Sequence, residues 1–116
     1  MSLLDRLLRR ADPAALPRSV RPDRARELLA DGALLVDVRE SREWRAGHVR
    51  GARHIPLDRL ATEARRLPAD VPVVVMCASG TRSRAGAAQL RATGRQATSL
   101  AGGLAAWQAT GGGVTR

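Results

Sequence analysis

The segment Cys77-Ala78-Ser79-Gly80-Thr81-Arg82-Ser83 holds the chain's one cysteine, a glycine and two arginine-flanked polar residues in a short space. It follows Val73-Val74-Val75-Met76, a β-branched, uncharged run that reads as the strongest strand of the chain. A helix is expected to begin at Arg82 and Ser83 and run to Thr93, small on one face (Ala85, Gly86, Ala88) and stopped by Gly94. Strand, tight loop and helix in that order place the thiol at a strand end. There it meets the loop amides and the first N–H groups of the helix, which have no partners inside it. Gly80 supplies the positive φ that a tight loop needs. Such a cradle attracts anions and therefore favours the thiolate, which makes Cys77 a nucleophile facing a pocket suited to an anion. A lone cysteine is often only a small buried hydrophobe; the β-branched run before Cys77 and the glycine turn after it favour the nucleophile. Arg82 reads as an anion-binding or thiolate-stabilising group, with a plain surface arginine as the alternative.

One cysteine excludes a disulfide within the chain and a metal site made of cysteines alone, and two histidines add no credible ligand cluster. No metal and no cofactor is expected. A single thiol, with no apolar run of signal-peptide length in residues 1–10, fits a reducing, cytoplasmic location. No stretch approaches the roughly 20 apolar residues of a membrane span. Net charge is +9, and all 20 basic residues are arginine, a usage that fits a GC-rich coding bias. The arginines form a solvated surface or a field that attracts small anions. They are scattered among acidic residues and aromatics make up only 2%, so no nucleic-acid partner is expected.

A chain of 116 residues with 44% hydrophobic residues suits one domain with a core of Leu, Val, Ala and Ile. Residues 1–18 read as an N-terminal extension, in which Leu3, Leu4, Leu7 and Leu8 recur at the spacing of a short amphipathic helix. A helix is expected over 22–30, with Pro22 in its first turn, and a strand over 33–38. Ser41 is expected to cap a brief helix that stops at Gly47. A loop and strand over 48–56 precede a helix over 58–67, with Leu57, Leu60, Ala64 and Leu67 on one face. A last strand over 96–100 leads through Gly102-Gly103 into a helix over 104–110, and 113–116 reads as a flexible tail. Strands alternating with helices predict an α/β fold around a mainly parallel sheet. Ligands of such sheets bind at the carboxyl ends of strands, where Cys77 lies.

Three motifs then point to one family. Leu35-Val36-Asp37-Val38-Arg39-Glu40, Glu43-Trp44 and Gly47-His48-Val49-Arg50-Gly51-Ala52-Arg53-His54-Ile55-Pro56 form the first. The segment from Val73 to Ser83 forms the second, and Leu100-Ala101-Gly102-Gly103 with Trp107 the third. In this order and spacing, over roughly residues 19–112, the chain resembles rhodanese-like domains. The resemblance implies a central five-stranded, mainly parallel sheet flanked by helices. It also implies a ping-pong sulfur transfer in which Cys77 takes the outer sulfur of a small anionic donor such as thiosulfate. Cys77 would hold that sulfur as a persulfide within the loop Ala78, Ser79, Gly80, Thr81, Arg82 and Ser83, and pass it to cyanide or a thiol, with a protein as a further option for acceptor. Asp37 and Arg39 are implied as a supporting shell, with direct substrate contact by Arg39 the alternative, and His48 as a structural hydrogen-bonding residue. Trp44 and Trp107 are expected as packing residues, and His54 has no expected role.

Loop length separates two related chemistries. Four residues lie between Cys77 and Arg82, as in sulfurtransferases of this family; the related phosphatases and arsenate reductases use five, which widens the cradle for a tetrahedral oxyanion. Three readings stay open: a sulfurtransferase, a sulfur carrier loaded by a partner with little activity on thiosulfate, and a silent scaffold. The intact Cys77 argues against the last.

Overall fold

The computed structural model describes residues 16–116. The extension helix expected around Leu3 to Leu8 lies outside the described residues.

Five strands form one parallel sheet: β1 (Ser19–Val20), β2 (Leu34–Asp37), β3 (Arg53–His54), β4 (Val73–Met76) and β5 (Ala97–Leu100), in the order β1-β5-β4-β2-β3. β4 is central, and its four residues are fully buried. Each such side chain contributes roughly 1.5–3 kcal/mol of transfer free energy, which is why the most continuous apolar run occupies the middle of the sheet.

Alternation along β4 sends Val73 and Val75 to one face and Val74 and Met76 to the other. The first face is covered by α3 (Leu60–Glu63) and α4 (Thr81–Ala92), and includes Val36, Leu60, Ala87 and Leu90. The second is covered by α1 (Pro22–Ala30) and α5 (Gly103–Ala109), and includes Ala25, Leu28, Leu100 and Trp107. Cys77 continues the alternation into the α4 face. In register, Asp37 lies beside both His54 and Met76, so these strands end together at one edge of the sheet.

Several elements differ from the sequence expectation in instructive ways. The helix expected over 58–67 is a 3-10 turn (Leu57–Arg59), one α turn (α3) and a second 3-10 turn (Ala64–Arg66). Its apolar residues step by three, four and three, which are the repeats of 3-10, α and 3-10 helix in turn. The brief helix α2 (Ser41–Ala46) is capped by Glu40 rather than Ser41: the Glu40 N–H donates to Glu43 Oε1 at 3.0 Å, half of a capping box with an acid in the Ser/Thr place. α4 begins at Thr81, with Gly80 as its N-cap. The buried face of α4 is Ser83, Gly86, Ala87 and Leu90, a regular i, i+3, i+4, i+7 stripe; Ala85 and Ala88, grouped from sequence with Gly86 on one small face, are exposed. The segment expected as a tail returns to the body: Thr115 and His48 exchange backbone hydrogen bonds at 2.8 and 2.7 Å.

Candidate active site

Cys77 directly follows β4 and is 1% exposed. The chain turns sharply at Gly80, whose φ of 109° is open to glycine and strained for other residues. The turn brings the Gly80 N–H to 3.0 Å from Cys77 Sγ. Ser83, in the first turn of α4, is fully buried with its Oγ 3.5 Å from the sulfur. Burial is the strongest single influence on the thiol and pushes its pKa up. The Ser83 hydroxyl and the N–H groups of Ser83, Gly80 and Ser79 together outweigh it, and the thiol lies below its ordinary value. The loop therefore favours the thiolate, as the strand–loop–helix pattern predicts.

Two carbonyls of the loop are bound elsewhere. The Cys77 and Ala78 carbonyls accept from the N–H groups of Leu104 at 2.8 Å and Ala105 at 3.3 Å, at the start of α5. This approach works only with glycine at 103. A Cβ there would lie 2.6 Å from the Ala78 carbonyl carbon and closer still to the Cys77 oxygen, and its φ is 58°. The Gly102-Gly103 pair, read from sequence as a helix start, is thus also the seat of the cysteine loop.

The Arg82 guanidinium is engaged by a carboxylate. It donates two hydrogen bonds to Glu43 of α2, at 2.7 and 3.0 Å. This bidentate pair holds the Glu43 carboxyl at about 2 and raises Arg82 further above its already high value. The positive charge of Arg82 is nonetheless felt at Cys77. Glu43 thus serves two elements, capping α2 and fixing Arg82 in the first turn of α4. It stands in the first quoted motif, yet nothing in its sequence position tells which arginine it meets. Beside Arg82 a cleft of about 660 Å³ opens, lined by Val38, Glu40, Leu57, Arg59 and Gln89 among others.

Asp37 and Arg39 form a buried pair. Arg39 donates from Nε to both Asp37 oxygens at 3.0 Å, from Nη2 to Oδ2 at 2.7 Å, and from Nη2 to the Gly47 carbonyl at 2.8 Å. These bonds tie the end of β2 to the turn after α2. His48 Nδ1 lies 2.8 Å from the Trp44 carbonyl and His54 Nε2 lies 2.8 Å from the Arg39 carbonyl. A carbonyl only accepts, so both nitrogens carry their protons. The His48 and His54 rings stack on Trp44 at centroid distances of 3.6 and 4.8 Å. His48 thus makes the structural bond expected of it, and His54 gains a role that sequence alone did not assign. Trp107 packs in the second cluster beneath the Arg26 guanidinium, 4.4 Å from its ring centre.

Ser99 was not singled out from sequence. It lies on β5 opposite Val75, is fully buried, and its Oγ is 2.7 Å from Ser83 Oγ. Two adjacent hydroxyls, Thr98 and Ser99, in a buried strand were the available signal, but nothing local shows which of them faces the cysteine loop.

A model of the rhodanese-like domain matches residues 21–110. The thiosulfate sulfurtransferase GlpE of Ectopseudomonas mendocina is 34% identical over 94 residues, covering 80% of this chain and 86% of that protein. GlpE of Pseudomonas fluorescens is 35% identical over the same shares. Among solved structures, a rhodanese-related protein from Thermoplasma volcanium superposes with a TM-score of 0.78 at 28% identity, over 85% of this chain and 98% of that one. A rhodanese-like domain protein from Staphylococcus aureus gives 0.71 at 28% identity, over 78% and 91%. The match runs from the start of α1 to the end of α5 and leaves only β1 of the sheet outside it; the chain belongs to the rhodanese-like domain family.

Proposed function

We propose that the chain is a sulfurtransferase working through a persulfide on Cys77. The Cys77 thiolate attacks the outer sulfur of a donor such as thiosulfate. An Sγ–S bond forms, the donor's S–S bond breaks, and its electron pair leaves with sulfite; the transferred sulfur keeps the negative charge it carried in the donor, so the thiolate becomes a persulfide anion. Cyanide or a thiolate then attacks that sulfur. The Sγ–S bond breaks, thiocyanate or a new persulfide leaves, and Cys77 recovers its charge. The observation that carries this reading is the polarity of the loop: the Gly80 N–H faces Sγ at 3.0 Å while the Cys77 and Ala78 carbonyls are bound to α5. Donors surround the place where negative charge sits before and after transfer, which is electrostatic preorganisation.

In this reading Ala78, Ser79, Gly80, Thr81, Arg82 and Ser83 hold the sulfur, and the Asp37–Arg39 pair supports the turn beside them rather than touching substrate. The four-residue spacer suits one sulfur atom better than a phosphate. The test is intact mass after thiosulfate treatment. A gain of one sulfur, lost again to cyanide with release of thiocyanate, is the expected result. Release of phosphate from an aryl phosphate with no sulfur gained would overturn it.

A specific observation also favours the carrier reading. Arg82 is already engaged by Glu43, so an anionic donor must compete with a carboxylate for the guanidinium. A half-exposed pair of this kind is worth up to about 1 kcal/mol, a handicap that a protein persulfide donor without an oxyanion does not meet. A donor panel ranks the two: faster loading from a protein persulfide than from thiosulfate selects the carrier.

A further inference from the structure

The hydroxyls of Ser83 and Ser99 form a buried pair behind Cys77 that the sulfur chemistry above does not use. Their protons can be counted. The Cys77 thiol faces Ser83 Oγ at 3.5 Å as a donor. Ser83 has a single proton, and its Oγ donates to the Gly80 carbonyl at 3.1 Å. The 2.7 Å contact with Ser99 must then be donated by Ser99. Once Cys77 ionises, the sulfur no longer donates and becomes the strongest acceptor in reach. The Ser83 hydroxyl can turn to it without stranding the Gly80 carbonyl, which also accepts from the Arg84 N–H at 3.3 Å. Ser99, on the rigid strand β5, stays as donor to the Ser83 oxygen in both states.

We propose that Ser99 is a positioning residue for the reacting sulfur: by donating to Ser83 Oγ it leaves the one Ser83 proton free to swing from the Gly80 carbonyl to the Cys77 thiolate. This inference rests on Cys77 being the reacting group of the proposed function. A donated hydrogen bond makes the Ser83 hydroxyl a better donor in turn, because successive bonds in a buried chain polarise one another. Among the described residues, the charged groups tied to Cys77 electrostatically are Arg82, in the first turn of α4, and through it Glu43 of α2. Neither contacts Ser99.

The test is the pH dependence of Cys77 alkylation by iodoacetamide, a neutral reagent that needs no anion site and no sulfur chemistry. Ser99→Ala should raise the midpoint by about half a pH unit. Ser83→Ala should raise it by about one unit or more, since it removes the bond to the charged sulfur itself. In the Ser83→Ala background, adding Ser99→Ala should move the midpoint no further, which a merely structural Ser99 would not achieve. Should Ser99→Ala fold poorly, Ser99→Thr and Ser99→Val give the same comparison with equal shapes: the midpoint stays with Thr and rises with Val. An unmoved midpoint in Ser99→Ala or Ser99→Val overturns the inference, as does an equal Ser99 shift with and without Ser83. Thiosulfate loading is read separately by mass: loading with an unmoved midpoint removes only the role of Ser99, whereas the predicted shifts in a protein that gains no sulfur remove only the transfer reading.

Discussion

Replacing Gly103 with alanine should cost far more than the loss of a flexible residue. The residue has φ of 58°, and a Cβ would lie 2.6 Å from the Ala78 carbonyl carbon and 2.7 Å from its oxygen. These are backbone atoms and cannot swing aside. Either α5 withdraws, stretching the Leu104 and Ala105 N–H bonds to the loop carbonyls, or the loop shifts under Cys77. The left-handed conformation costs an alanine about 1–2 kcal/mol, and overpacking adds about 1–3 kcal/mol. The sum is a large share of the roughly 5–15 kcal/mol that stabilises a domain. At about 4–8 °C per kcal/mol, the melting temperature should fall by at least about 8 °C. Gly51→Ala is the control. Its φ is 84° with nothing within 4 Å of the added Cβ, so it carries a conformational cost no smaller than that of Gly103 and no clash. Melting by circular dichroism compares the two, and intact mass after thiosulfate treatment, well below both transitions, reads the site. A Gly103→Ala protein that melts no lower than Gly51→Ala and loads sulfur at the parent rate would refute the claim that α5 seats the loop.

Three further outcomes follow from the same geometry. Cys77→Ser should abolish sulfur loading by mass while leaving the melting curve close to the parent, since the change is nearly isosteric. Arg82→Ala should slow loading from thiosulfate more than from a neutral persulfide donor; an equal loss on both would make Arg82 structural. The Glu43 carboxyl is depressed to about 2 by its bond to Arg82, so its contribution to stability is full above the unfolded value of about 4.3 and is lost as pH falls through about 2. Urea denaturation of the parent and Glu43→Gln should therefore differ at neutral pH and converge toward pH 2, and a difference that persists there would place the stabilisation elsewhere.

The sheet was legible because its signal is local. Val73 to Met76 is continuous and β-branched, and the alternation of such runs with amphipathic ones carries the layered architecture. The cysteine loop was legible for the same reason: strand, glycine turn and helix start lie within a dozen residues. The motifs supplied the family, where composition alone reached only an α/β domain. What stayed hidden joins residues far apart in the chain. Glu43 meets Arg82 across 39 positions, and Ser99 meets Ser83 from a neighbouring strand. The 3-10 turns around α3 were missed because a stripe of apolar residues at steps of three and four satisfies both helix types nearly equally. On α4 the exposed Ala85 and Ala88 carry no polar label, so composition could not separate the packed face from the open one.

A peptide loop has as many carbonyls as N–H groups, so a ring of backbone around a sulfur is not electropositive by default. Its polarity depends on where the carbonyls go. Here two of them, on Cys77 and Ala78, are drawn to the first N–H groups of α5, and the Gly80 carbonyl is drawn to Ser83 Oγ and the Arg84 N–H. Each bond engages an oxygen elsewhere, while the Gly80 N–H stands 3.0 Å from Sγ. The same bonds satisfy polar groups that would otherwise be buried without partners. Stability and anion affinity therefore rest on the same contacts. That is why a substitution at Gly103, which touches no sulfur, should register both in the melting temperature and in the reactivity of Cys77.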